Sequence, residues 1–156
     1  MSGRVVVIGV GNALRGDDAA GLAVAQRVRS HASGDVEVRV CEEEPTRLID
    51  AFDGADVAFV VDAVATGAPA GTVHRFDASG RPIPSTELRS STHALGIADA
   101  LELARALGRL PRTTVVFGVE AAGFTTGERL TPAVEDGVAE AAARVLAEVA
   151  ACTSKP

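Results

Sequence analysis

The sequence predicts an α/β fold: a three-layer sandwich in which a mostly parallel, five-stranded twisted sheet lies between helices. Three observations predict it. Short, wholly apolar runs rich in β-branched residues, such as VVVIGV at 5–10, read as strands buried on both faces. Those runs alternate with helical patterns in the order βαβαβ, an edge strand, then αβα. The first run closes on a glycine turn and leads directly into a helix, as in doubly wound sheets.

Taken in order, Val5 to Val10 is the first strand. The helix after it runs to about Arg29, with Ala20, Val24 and Val28 as its inward stripe and Asp17 placed to cap it. DVEVRVCE alternates and reads as the second strand. PTRLIDAFDG gives a short helix with Pro45 in its first turn. ADVAFVVDAV is apolar throughout and therefore a central third strand. GTVHRFDA follows the turn residues Gly67, Pro69 and Gly71 too closely for another crossover, so it reads as an excursion to the sheet edge. Residues 78 to 91 form a Pro/Ser-rich loop, and Thr92 is placed to cap a helix reaching about Leu107. RTTVVFGVE is the fifth strand. A closing helix starts at Thr131 and Pro132, with Glu135 and Asp136 against its positive end.

At 156 residues the chain is expected to be one domain, 1–156, and long enough to bury roughly 70% of its unfolded surface. A hydrophobic content of 47% excludes a disordered chain. The net charge of −6 and the lack of Trp and Tyr argue against nucleic acid or an anionic membrane as partner. The run RVVVIGV is far too short to span a bilayer, and a cytoplasmic location is expected. Cys41 and Cys152 share no metal-site spacing and read as reduced structural thiols.

In such a fold, ligands bind beyond the carboxyl ends of the strands, where the strand order reverses. Three polar residues converge there: Asp18 after the first strand, Asp62 inside the third, and His93 at the helix that follows the serine-rich loop. Each also has a structural reading: an ordinary acidic helix start, a buried salt bridge, and an exposed helix-start histidine. Together, two carboxylates and an imidazole kept neutral by the helix end suit a divalent ion. His31 and His74 are expected to be solvated, and Glu42 to Glu44 to be a solvated turn. A dinucleotide site is disfavoured: Gly9 and Gly11 are present, but Leu14 stands where the third glycine belongs, and the acid pair would repel a pyrophosphate. No Walker A lysine, GxSxG or HExxH motif occurs.

The blocks GVGNALRGDDAAG, VVDAV, SSTHALGIADALELARALGRLP and VVFGVEAAGFTTGERLTPAV resemble the nickel-iron hydrogenase maturation proteases in order and spacing, over nearly the whole chain. The resemblance implies an endopeptidase, expected to be of the aspartic type, that trims the C-terminus of the hydrogenase large subunit. It also implies a three-residue metal-binding site. The acidic residue of the first motif falls on Asp18, the strand aspartate on Asp62 and the histidine on His93, with Asp17 at a neighbouring position. The nickel is then carried by the substrate, the large-subunit precursor, and a peptide bond beyond its metal-binding motif is hydrolysed.

Two departures stand out. Ala19 replaces a glycine often found after the acid pair, and the segment Glu42 to Arg47 lacks the family's glycine pair while keeping a threonine, Thr46. Two other readings stand beside the main one: a nickel-sensing or escort module of the same fold that does not cut, and an unrelated α/β hydrolase or nucleotide-binding enzyme.

Overall fold

A computed structural model describes residues 3–12, 16–42, 47–83, 96–122 and 129–153. The strands are β1 (Val5–Gly11), β2 (Val36–Glu42), β3 (Val57–Val64), β4 (Val73–Asp77) and β5 (Thr113–Glu120). The helices are α1 (Ala20–His31), α2 (Arg47–Ala51), α3 (Ile97–Ala106) and α4 (Pro132–Thr153), and a 3-10 turn, Gly16–Ala19, precedes α1.

The five strands form one sheet in the order β2-β1-β3-β5-β4, parallel except for the antiparallel β4–β5 pair. The three central strands, β1, β3 and β5, carry continuous apolar runs because both of their faces are covered. On one face, Val24 and Val28 of α1 and Val134, Val138 and Val145 of α4 pack on Val7, Phe59, Val61 and Phe117. On the other, Leu48 and Ile49 of α2 and Ile97, Leu101 and Ala104 of α3 pack on Ile8, Val10, Val60 and Val116. Fully burying each Leu, Ile or Phe here contributes about 1.5–3 kcal/mol, which holds the two helical layers to the sheet. No described helix is long and apolar enough to cross a membrane.

β4 is antiparallel for a simple reason of reach. Only residues 65–72 separate it from β3, fewer than a parallel crossover needs. That connection passes over the end of β5, where Gly71 N–H donates to the Glu120 carbonyl and Glu120 N–H to that of Thr72. The excursion to the edge is thus as expected from the sequence.

Two local expectations are corrected. Asp17 does not cap α1: the N-cap position is Ala19, with no side-chain cap, because the 3-10 turn intervenes and turns Asp17 elsewhere. The third helix begins at Ile97, since Gly96 at its N-cap is extended (φ −72°, ψ 165°), and the expected cap Thr92 lies outside the described residues. α2 is short, ending at Ala51. The chain then turns through Gly54 at φ +77°, a left-handed conformation suited to glycine. Pro45 and Thr46 lie outside the described residues.

Candidate active site

β1 sits between β2 and β3 in the sheet, so the chain leaves it to one side first and to the other later. The strand order reverses there, and it is at such a point, beyond the carboxyl ends of β1 and β3, that doubly wound sheets form their ligand crevice. The β1–β3 pairing ends at Gly9 with Val61, and Asp62 is the next residue along β3. By strand alternation Asp62 shares the face of Ala58, Val60 and Val64, the side covered by α2 and α3.

The two glycines of GVG and the later Gly21 explain how Asp18 reaches the same place. A Cβ on Gly21 would meet the Val10 carbonyl at 2.2 Å and the Val61 carbonyl at 2.4 Å, and one on Gly9 would meet the Gly21 carbonyl at 2.4 Å. The start of α1 therefore lies directly over the gap between the two strand ends. A Cβ on Gly11 would strike the Asp18 carbonyl at 2.2 Å, and that carbonyl accepts the Asn12 N–H at 3.2 Å. The glycines serve close backbone approach, which folds the 3-10 turn back onto β1 and β3.

Asp18 and Asp62 are both fully buried. The Ala63 N–H donates to Asp62 Oδ1 at 2.8 Å. Burial, and next the neighbouring Asp18 carboxylate, push the Asp62 carboxyl well above the usual range, with the Ala63 N–H pulling weakly the other way. Two buried carboxyls so disposed can do two things. They can share a proton, one acting as acid and the other as base. Alternatively, a divalent cation can replace that proton, with both groups then ionised.

Of the three residues named from the sequence, the structure brings Asp18 and Asp62 to one crevice, and His93 lies outside the described residues. Among the described residues, no group of three or more His, Cys, Asp or Glu is arranged to hold a metal ion. From the altered segment, Glu42 is exposed at the end of β2 and Arg47 opens α2.

Two groups on this edge escaped the sequence reading. Glu120, at the end of β5, is buried; its carboxylate accepts the Thr66 hydroxyl (2.6 Å), the Thr66 N–H (2.8 Å) and the Gly67 N–H (3.3 Å). His74, expected to be solvated, instead places Nε2 3.0 Å from Glu120 Oε1 and is only 22% exposed. The alternation of β4 put His74 on a strand, but only the pairing with β5 sets it opposite Gly118, two residues from Glu120. The second group is Asp17, whose carboxylate accepts N–H groups from Ala122 and Thr131.

A family model described as hydrogenase maturation protease matches residues 35–148. The chain belongs to the hydrogenase maturation protease family. Among its relatives, the hydrogenase expression/formation protein HupD of Thiocapsa roseopersicina is 30% identical over 143 residues. That match covers 85% of this chain and 65% of the length of that relative. The fold is also that of solved structures. The hydrogenase maturating endopeptidase HybD from E. coli superposes with a TM-score of 0.79 at 28% identity, covering 94% of this chain and 91% of its own. The solution structure of an endopeptidase from Escherichia coli gives 0.82 at 26% identity, covering 96% and 94%. The five-stranded architecture of this chain is thus the fold of the HybD endopeptidase.

Proposed function

We propose that this protein is a cytoplasmic endopeptidase that removes a C-terminal peptide from the precursor of a nickel-iron hydrogenase large subunit, and that it recognises the nickel its substrate carries. Family membership supports the proteolytic reading. The observation that carries the rest is the juxtaposition of Asp18 and Asp62, two fully buried carboxylates in the crevice at the strand-order reversal.

Burial, and next the neighbouring Asp18 carboxylate, make the Asp62 proton harder to remove. A nickel ion presented by the precursor displaces it, and both carboxylates then face the metal, with His93 as the third contact. An unloaded precursor brings no ion to make this exchange, so it gains nothing from the pair. Recognition and maturation are coupled in this way through the metal that the substrate carries. The metal's charge supplies polarisation of a nearby carbonyl or water. Asp18 is the candidate general base for water attack on the scissile bond, because Asp62 is confined within a strand.

The test uses purified protein and candidate precursor with and without nickel, with the products weighed by mass spectrometry. Wild type is expected to shorten only the nickel-loaded precursor, and Asp18→Asn, Asp62→Asn and His93→Ala to leave it intact. Near-normal cleavage by Asp62→Asn would overturn the assignment. Retention of nickel with no cleavage of any loaded precursor would instead favour the escort reading.

A further inference from the structure

Asp17 is next to Asp18 in the same turn, yet its surroundings are entirely different. It is 1% exposed. Its Oδ2 accepts the Ala122 N–H at 2.7 Å and its Oδ1 accepts the Thr131 N–H at 2.8 Å. The Thr131 hydroxyl lies 3.1 Å and 3.3 Å from the same two oxygens. Ala122 follows the end of β5, and Thr131 precedes the first residue of α4. One carboxylate therefore gathers both ends of the β5–α4 connection, 105 and 114 residues away in sequence, and fastens them to the turn that carries Asp18.

We infer that Asp17 is a positioning residue of this site: by tying that turn to both ends of the β5–α4 connection, it sets where Asp18 stands relative to Asp62. The argument is one of geometry. The turn lies against Gly11 through the Asp18 carbonyl, and Gly21 seats the start of α1 that follows it on the ends of β1 and β3. Beside the bond from the Asn12 N–H to the Asp18 carbonyl, the two bonds from Ala122 and Thr131 restrain the turn from two further, separate elements. A carboxylate is also the group the arrangement requires. Each oxygen meets an N–H donor, so an amide at this position would turn its own NH2 against one of them. This inference rests on the reading of Asp18 and Asp62 as a working pair.

The test compares full-length wild type with Asp17→Asn, Thr131→Val and Thr131→Ser, and with Val145→Ala, a core truncation in α4, as a control for lost stability. Two readouts are taken below the melting temperature of every variant. The first is the carboxyl 13C resonance of Asp62, which needs no substrate. Asp17→Asn is expected to shift it, Thr131→Val to shift it less in the same sense, and Thr131→Ser and Val145→Ala to leave it in place. The second is cleavage of nickel-loaded precursor. Here kcat is expected to fall about 100-fold in Asp17→Asn, as for a misplacement near 1 Å, with KM little changed. Thr131→Val should lose about 5-fold, the equivalent of one hydrogen bond.

An unmoved Asp62 resonance in folded Asp17→Asn, with kcat no lower than in the control, would overturn the inference. If Asp17→Asn does not fold, Thr131→Val decides by the same two readouts. If wild type fails to cut the loaded precursor while the Asp62 resonance moves as expected, the proposed function fails and the positioning role stands.

Discussion

At the amino ends of β1 and β2, Glu37 is flanked by Arg4 (Nη2 to Oε1, 2.6 Å) and Arg39 (Nε to Oε2, 2.5 Å). At the carboxyl ends of β1 and β3, Asp18 and Asp62 lie buried, and the charge that acts on Asp62 is another carboxylate. The same sheet thus treats acids in opposite ways at its two ends. The guanidinium hydrogen bonds hold Glu37 down at about 2, whereas desolvation and Asp18 push Asp62 up. An exposed, paired acid is a surface feature of small value, whereas burial beside a like charge raises the cost of ionising Asp62. That contrast supports placing the proposed site at the carboxyl edge.

The strongest way to break the comparison is Asp62→Asn. Cleavage of nickel-loaded precursor is expected to drop by about 1,000-fold or more, as when a group acting on the reacting charge is lost. The same change should stabilise the fold. Because the folded state holds the Asp62 proton more tightly than the unfolded chain does, stability falls as pH rises above the ordinary carboxylate range and through the raised value. Asn removes that loss. Its melting temperature should therefore exceed wild type near pH 8 by roughly 2–4 °C, about 1 kcal/mol for a chain of this length, and the gap should close near pH 4. A variant that melts lower than wild type at pH 8 would contradict the burial argument.

Next in size is Gly21→Ala. The added methyl has no room between the Val10 and Val61 carbonyls, so α1 must lift off the crevice at a cost of about 3 kcal/mol. Gly34→Ala, whose Cβ meets nothing within 4 Å, is the matched control and should be near neutral by denaturant melts.

Glu120→Gln tests whether the neighbouring part of the carboxyl edge is structural. The amide oxygen can keep the Thr66 and Gly67 N–H groups, but the Thr66 hydroxyl must turn to accept from the NH2 and the charge on the acceptor is lost, costing about 1 kcal/mol in a chemical denaturation experiment. Precursor cleavage per folded molecule should be unchanged, in contrast with Asp62→Asn.

The smallest effect belongs to the amino edge. Glu37→Gln should melt within about a degree of wild type at neutral pH, and any difference should shrink with salt. Since Glu37 is depressed in the fold, its contribution is present above the unfolded carboxylate value and is lost as pH falls toward about 2. A large loss at pH 7 would mean that the amino edge matters as much as the carboxyl edge.

Much of this was legible in the residues. The runs at 5–10 and 57–64 announced central strands, because a strand covered on both faces has no place for polar side chains. Asp62 stood out for the same reason, as a carboxylate inside such a run. The short interval before β4 announced the edge excursion. Less legible were Asp17, Glu120 and His74. Asp17 looked like a helix cap because Asp before a helical stripe usually is one, and nothing local reveals donors more than 100 positions away. His74 looked solvated because an edge strand has an open side, and only the register with β5 turned it toward Glu120.

The sequence by itself determined the layering, the strand count and the family to which the chain belongs, since hydrophobic periodicity and motif order are properties of neighbours along the chain. The tertiary structure alone decided which acid does what. Asp17 and Asp18 are adjacent and chemically identical, and they differ only in what folding brings to each: backbone donors from the far end of the chain for one, and a second buried carboxyl for the other. Burial and proximity, which no local pattern encodes, set both the hydrogen bonds and the proton affinity.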